Sequence, residues 1–177
     1  TSDITDEEKT IIEKYLSDGG KVYLILGDTT SDTPNLDGIM SDYGLKKVSG
    51  YIADTQRCYQ GNYYAIFPQL SLSGDLGSGI SNQMVLLLNS PGMEKTDTDN
   101  DNLTVTPFMQ TSDSGYAVTE NDQTQGQYIL GAVSTNAISA DSSDSDSEDE
   151  DDKSDATDTD TKTARLTVLA SASMISS

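Results

Sequence analysis

The first segment of this 177-residue chain, residues 3–26, constrains its fold most strongly: DITDEEKTIIEKYLSDGGKVYLIL. Thr5 and Glu8 have the spacing of a capping box, in which each side chain accepts a hydrogen bond from the backbone of the other. Apolar residues then recur at helical spacing and form one predicted stripe: Ile11, Ile12, Tyr15 and Leu16. Gly19 and Gly20 follow, and glycine adopts at little cost the left-handed conformation that ends many helices. The segment therefore predicts a helix over residues 6–18.

A continuous apolar run, residues 22–26, comes directly after these glycines. Such runs are typical of strands that are covered on both faces, as in parallel sheets with helices on either side. The run is therefore interpreted as a buried strand within an α/β domain. We expect a layered, mostly parallel central sheet flanked by helices.

The remainder of the chain alternates short apolar segments with polar turns. A second helix is predicted near residues 35–43, where Gly44 would end it, and a turn is predicted at 73–82. Strands are predicted at 45–48, 50–53, 62–67, 84–88, 103–110, 115–118, 128–134 and 164–170. A chain of this length suits one domain, so residues 1–177 are expected to form a single α/β domain.

Charge is concentrated in one segment. The net charge is −20, and half of it lies in residues 141–160, which contain eleven acidic residues and one lysine, Lys153. This segment has no large apolar side chain, so it cannot bury enough surface to offset the entropy of ordering it. Residues 140–163 are therefore predicted to be a disordered acidic loop inserted between two strands. Weak calcium binding and docking of a basic partner are the alternatives.

Several classes of chemistry are excluded by composition. The chain has no histidine and a single cysteine, Cys58, so Ser-His-Asp, Cys-His and cysteine or histidine zinc sites cannot be built. No phosphate-binding glycine motif and no basic patch occur, so no cofactor and no nucleic acid are expected. No apolar run approaches the ~20 residues of a membrane span, and no signal peptide or opening methionine is present. We expect an excised or processed soluble piece of a larger protein, held at a membrane only by segments outside this chain.

Two groups of residues are candidates for ligand binding. Asp28, Thr29 and Thr30 follow the first predicted strand, and Ser112 follows a later one. In open α/β sheets, ligands bind beyond the carboxyl ends of the strands. The second group, Tyr63 and Tyr64, could stack on a sugar or contact a protein, because tyrosine has an apolar body and a polar tip. Ordinary turns and a half-buried strand remain the competing interpretations.

The best metal candidate is the alternating carboxylate series Asp97, Asp99 and Asp101. A calcium loop begins in this way, but it needs glycine at its sixth position and glutamate at its twelfth. Here those positions hold Asn102 and Phe108. A solvated loop is therefore the better interpretation, and no metal is expected. A degenerate hydrolase would have to use a carboxylate pair, and no spacing singles one out.

The opening segment, with its D-I-T-x-x-E pattern followed by YL and GGKV, is similar to a known family. Four further segments fall in the family's order: 34–45 (PNL to YGL), 51–54 (YIAD), 105–112 (VTPFMQTS) and 164–171 (ARLTVLAS). Together they resemble the extracytoplasmic domain of gliding-motility-type ABC-transporter auxiliary proteins, which are membrane-anchored partners of a transport system. The resemblance implies an amidotransferase-like or flavodoxin-like fold, usually without the catalytic residues.

The sequence thus predicts a non-catalytic domain, not an enzyme. On the resemblance, it would act on the extracytoplasmic side of the cell membrane in protein contact or substrate handling. Its partners would be the membrane and ATPase subunits of an ABC transporter. The alternative is a small-ligand or carbohydrate-binding module built from the Asp28 loop and the tyrosine strand.

Overall fold

The computed structural model describes residues 3–27, 32–71, 84–138 and 162–171. Within these ranges the helices are α1 (Asp6–Ser17) and α2 (Pro34–Asp42). The strands are β1 (Lys21–Ile25), β2 (Leu45–Lys47), β3 (Tyr51–Asp54), β4 (Cys58–Tyr59), β5 (Asn62–Ile66), β6 (Gln69–Leu70), β7 (Leu87–Leu88), β8 (Met93–Lys95), β9 (Leu103–Gln110), β10 (Gly115–Val118), β11 (Gln123–Gln125), β12 (Ile129–Ile138) and β13 (Lys162–Leu169). The predicted turn at 73–82 and the acidic residues 141–160 lie outside the described ranges.

Helix α1 begins and ends as its sequence predicts. The Thr5 hydroxyl accepts a hydrogen bond from the backbone N–H of Glu8, and the Glu8 carboxylate accepts one from the backbone N–H of Thr5. At the other end Gly19 has φ +88°, and the N–H groups of Gly19 and Gly20 donate to the last turn of the helix. This pairing of two N–H groups is the Schellman motif, which satisfies carbonyls that the helix leaves open.

The predicted fold class, a mostly parallel α/β sheet of amidotransferase or flavodoxin type, is wrong. Among the described residues the largest sheet has seven strands, in the order β1–β13–β12–β8–β2, with β9 also beside β12 and β6 beside β9. Only the β1–β13 pair is parallel, and every other pair in the described residues is antiparallel. The two described helices contact each other and pack into one core cluster with the sheet, whereas a doubly wound fold has helices on both faces of its sheet.

The position of β1 explains the error. This strand is the end strand of the sheet as described, with β13 as its neighbour, and the Tyr23 side chain is 59% exposed. A continuous apolar run indicates a strand, but it does not show whether that strand has one neighbouring strand in the sheet or two. The predicted stripe on α1 is confirmed in part: Leu16 is buried and Ile12 packs against the core, whereas Ile11 and Tyr15 are exposed.

Two further sheets of three strands complete the described fold. One has the order β11–β10–β3 and the other β4–β5–β7, and both are antiparallel. One core cluster packs the helices against the large sheet, and it includes Leu16, Met40, Leu45, Leu166 and Val168. A second cluster joins the three sheets, and it includes Ile52, Ile66, Leu87, Met109 and Leu130. The long strand predicted at 84–88 is reduced to Leu87–Leu88, and Met84 is exposed.

The described part of the chain contains no helix that is both long enough and apolar enough to cross a membrane.

Candidate functional site

A buried carboxylate lies at the end of β3. The Asp54 side chain is completely buried, and it accepts four hydrogen bonds. The Ser112 backbone N–H donates to Asp54 Oδ2 at 2.7 Å, and the Ser112 hydroxyl donates to Asp54 Oδ1 at 2.8 Å. The backbone N–H groups of Gln56 and Arg57 also donate to Oδ1, both at 2.9 Å. The carboxylate therefore fastens the turn after β3 to the turn after β9, 58 residues further along the chain.

These hydrogen bonds determine the charge state of Asp54. Burial by itself raises the pKa of a carboxyl group, because it disfavours the charged form. The donors from Ser112, Arg57 and Gln56 stabilise the carboxylate and more than compensate, so the pKa of Asp54 lies below its usual value of 3.8. Asp54 is thus a buried anion at neutral pH whose charge is stabilised by hydrogen-bond donors. A general acid needs the opposite shift.

The neighbouring threonine has a similar structural role. The Thr111 hydroxyl accepts a hydrogen bond from the backbone N–H of Tyr128, and the Thr111 N–H donates to the carbonyl of Tyr128, both at 2.9 Å. Both hydroxyls of the Thr111-Ser112 pair are therefore occupied inside the fold. Among the described residues, no buried side-chain nitrogen or oxygen lacks a hydrogen-bond partner. Ser112 was predicted to be a ligand-binding residue, and the structure instead places its side chain against Asp54.

A second carboxylate joins the two helices near the start of the chain. Asp3 accepts hydrogen bonds from the backbone N–H groups of Asn35 and Leu36, at 2.7 and 3.2 Å, in the first turn of α2. The Asn35 amide donates in return to the carbonyl of Ile4 and to Asp6. Desolvation acts to raise the pKa of Asp3, but the backbone donors, with help from Lys47, hold it below 3.8. The first residues of the chain are thereby fixed to the N-terminus of α2.

A cleft of about 800 Å³ lies where the three sheets meet. It is formed by the start of α2, the turn between β2 and β3, the turn after β10 and the end of β7. The charged and aromatic side chains that line it are Asp32, Asp37, Lys47, Tyr51, Tyr64 and Glu120. This cleft will be called the junction cleft.

Charge in the junction cleft is predominantly negative. Lys47 is its one basic side chain among the described residues, and its amine is already bound. It donates to the Thr33 hydroxyl at 2.8 Å and lies 3.3 Å from a carboxylate oxygen of Asp37. Asp32 and Glu120 add two further carboxylates, and Tyr51 and Tyr64 add aromatic rings. Such a surface suits a neutral or cationic ligand with hydroxyl or amino groups better than an anion.

The predicted ligand residues that the structure describes, Ser112, Tyr63 and Tyr64, are not brought together in one cleft. Asp28, Thr29 and Thr30 lie outside the described residues. Tyr64 lines the junction cleft, whereas Tyr63 lies on the opposite face of β5 and is half exposed. This separation follows from the alternation of side chains along a strand. Among the described residues predicted to bind a ligand, Tyr64 is therefore the one that lines the cleft.

The predicted metal candidate does not form a site in the described structure. Asp97, Asp99 and Asp101 lie in the loop between β8 and β9, and the described residues contain no group of three or more acidic or cysteine side chains that could hold a metal ion. Asn100 takes over the local hydrogen bonding, because its side-chain oxygen accepts from the N–H of Asn102. The loop is shaped by turn chemistry.

Several residues of the two sites were not identified from sequence. Asp54 was part of a matched segment, but nothing local showed that it would be buried against Ser112. Lys47 and Glu120 come from elements 73 residues apart, and their approach depends on the whole fold. Asn89 carries a usable signal, since it begins the Asn-Ser-Pro-Gly turn and has φ +46°, a conformation that asparagine tolerates.

Comparison with known proteins identifies a related fold. No family model and no curated protein matches this sequence. A solved structure described as "mmIFT52 N-terminal domain" matches with a TM-score of 0.55 and 12% sequence identity. The match covers 96% of this chain and 61% of that chain, so the chain spans less than two thirds of its neighbour. At this identity the likeness shows that the two share a fold.

Proposed function

We propose that this chain is a non-catalytic contact domain of an ABC-transporter auxiliary protein, acting on the extracytoplasmic side of the membrane. The proposal rests on the sequence resemblance, and on how the matched segments are used in the fold. Membrane attachment would come from segments outside this chain. The domain's partners would be the membrane and ATPase subunits of the transporter.

The observation that carries the proposal is the pairing of matched segments in space. Asp3, in the first segment, holds Asn35 and Leu36 of the PNL segment. Asp54, which ends YIAD, holds Ser112, which ends VTPFMQTS. Matched segments that are distant in sequence thus contact each other through hydrogen bonds to two carboxylates. These contacts support the segments as parts of one folded unit, although this unit does not have the amidotransferase-like fold that the resemblance implies.

The same contacts favour a non-catalytic role. Both carboxylates with shifted pKa values are shifted downwards, and both are occupied by backbone donors. Catalytic acids are instead raised towards the working pH, and catalytic bases keep a free lone pair that can reach the substrate. The polar residues of the matched segments stabilise the fold through hydrogen bonds. Contacts with a partner would therefore be made by other, surface residues.

A capture experiment tests this role. The full-length protein would be produced together with the membrane and ATPase subunits of its neighbouring transporter, with photo-reactive residues at exposed positions on different faces. We expect light-dependent cross-links to a transporter subunit from one face and none from the others. Cross-links to no subunit from any face, in a protein that folds and reaches the membrane, would refute the proposal.

A second candidate, a small-ligand module, is favoured by the junction cleft. A cleft of about 800 Å³ with tyrosine rings and carboxylates has the size and the polarity of a carbohydrate or amino-compound site. Thermal denaturation with a panel of neutral sugars and polyamines tests it. We expect a saturable rise in melting temperature that Tyr64→Ala removes. Tyr63→Ala is the matched control, since this neighbouring tyrosine lies outside the cleft, and no response to any compound would exclude the module.

A further inference from the structure

In the three-stranded sheet β4–β5–β7, the face that points away from the core is apolar, although a polar face is expected there. In the β4–β5–β7 sheet, Ile66 pairs with Leu87, and both are buried in the core. The alternate residues point away from this core, and Leu88 pairs on that outer side with Ala65, which is itself buried. A sheet with one face in the core usually has polar residues on the other. Here the outer side includes Tyr63, 50% exposed, and Leu88, 47% exposed.

Neighbouring side chains extend this apolar surface. Tyr59 is also exposed, and its ring contacts that of Phe67 edge to face, with centroids 6.0 Å apart. Leu86 and Met84, which lead into β7, are exposed as well, Met84 by 83%. The surface formed by Tyr59, Tyr63, Met84, Leu86 and Leu88 will be called the outer face.

Charge is missing from the segments that build the outer face. Residues 58–71 and 84–93 contain no Asp, Glu, Lys or Arg, although charged residues make up 23% of the whole chain. The charged residues that border these stretches are Glu94 and Arg57, and the Arg57 guanidinium donates to the carbonyls of Phe67 and Pro68. A basic partner would bind instead to the acidic residues in other parts of this chain. The outer face therefore suits a partner surface that is itself apolar and uncharged.

The outer face also lies far from the point where the acidic segment joins the sheet. The Ser90 hydroxyl, just after β7, donates to the carbonyl of Ala170, at the end of β13. The acidic residues join the sheet at the other end, where Ile138 pairs with Lys162. Ten residues of β12 separate the two ends, which is about 30 Å at the rise of a β-strand. Two copies that met through their outer faces would keep the attachment points of their most acidic segments apart.

We propose that the outer face is a self-association surface, through which two copies of this chain form a dimer with two-fold symmetry. In such an interface the same patch is used by both copies, so an uncharged apolar face is complementary to itself. The remaining repulsion between two acidic chains is screened by salt. The dimer should therefore become more stable as ionic strength rises, whereas a partner bound by opposite charges would be released. The proposal does not depend on the transporter role.

Sedimentation velocity of the purified 177-residue chain tests the proposal. Samples over a wide concentration range would be compared at about 20 mM and about 500 mM salt. We expect a monomer–dimer equilibrium in which the dimer fraction is higher at the higher salt concentration. Tyr63→Glu and Leu88→Glu should each weaken dimerisation about tenfold or more, because they place a charge in the apolar interface.

The matched controls are Ile11→Glu and Tyr23→Glu, which introduce the same charge at equally exposed apolar residues, 67% and 59%, on α1 and β1. These variants should dimerise like the unmodified chain. Far-ultraviolet circular dichroism spectra of Tyr63→Glu and Leu88→Glu should match that of the unmodified chain, which shows that both variants are folded. A monomer under all conditions, or equal loss in the control variants, would each overturn the proposal.

Discussion

Asp3 and Asp54 accept the same kind of hydrogen bond in two different environments. Each carboxylate accepts hydrogen bonds from backbone N–H groups of a distant segment, and each has a pKa held below its usual value. Asp54 is completely buried between two turns, whereas Asp3 lies near the surface beside α2. Burial removes competing water and salt, so the same contact should contribute far more to stability at Asp54.

The largest effect is expected for Asp54→Asn. This change removes a buried anion: with the amide oxygen in place of Oδ1, the amide NH2 faces the Ser112 N–H, which loses its acceptor, and the other three donors meet a neutral oxygen. We expect the free energy of unfolding to fall by about 3 kcal/mol or more, as measured by urea denaturation. Asp113→Asn, at an exposed position in the neighbouring turn, is the control and should change it by about 0.5 kcal/mol or less. Equal effects would mean that Asp54 is dispensable.

Acidification should have the next largest effect. The folded pKa of Asp54 is lower than its unfolded value of 3.8, so the unfolded chain binds more protons in the interval between them. The stabilisation is complete above the unfolded pKa and is lost as pH falls below 3.8 towards the folded pKa. Unfolding free energies measured from about pH 6 to about pH 2 should therefore drop more steeply in the unmodified chain than in Asp54→Asn. Parallel curves would contradict this assignment.

Ser112→Ala should have an intermediate effect. It removes the hydroxyl that donates to Asp54 and accepts from the N–H of Ser114, but it keeps the backbone donor of residue 112. A hydrogen bond to a charged group contributes about 1.5–3 kcal/mol, and we expect a loss in that range by urea denaturation. Ser114→Ala, in the same turn, provides the comparison. A double change with Asp54→Asn should cost less than the sum, because the two residues share one contact.

The smallest effect is expected for Asp3→Asn. The carboxylate lies at the N-terminus of α2, where the helix dipole and two backbone donors favour a negative charge. We expect a small decrease in melting temperature, below that of Ser112→Ala, which shrinks further in about 0.5 M salt because surface charges are screened. The effect of Asp54→Asn should persist in the same salt. If salt abolished both effects equally, burial would not be what distinguishes the two carboxylates.

Local features of the fold could be predicted from sequence, whereas its topology could not. The capping box at Thr5 and the glycine stop at Gly19 depend on residues within one turn of the helix, and both are confirmed. The strands at 103–110 and 115–118 have the predicted bounds. Strand neighbours depend on contacts between distant segments, and the apolar run at 22–26 contains no information about them. A parallel helix-flanked sheet was inferred from that run, and the inference was wrong.

The candidate sites show the same limit. Tyr63 and Tyr64 are adjacent in sequence and were considered together, yet strand alternation sends Tyr64 to the junction cleft and Tyr63 to the outer face. Ser112 was considered as a ligand residue because it follows a strand, but its role is set by Asp54, which the sequence alone does not place beside it. Residue type and local position suggested ligand binding for the tyrosines and for Ser112. Only the fold determines where each of these side chains lies.

The long pairing of β12 with β13 has a consequence for how this chain can vary. Eight residue pairs from Gly131–Leu169 to Ile138–Lys162 fix the two strands to each other, so the ends that border residues 139–161 are held close together by the sheet. A connection between such ends can grow or shrink at little entropic cost. The length and the acidity of that segment can therefore drift or be engineered almost independently of the fold, and replacing it with a short turn would give a chain of far lower charge on the same scaffold.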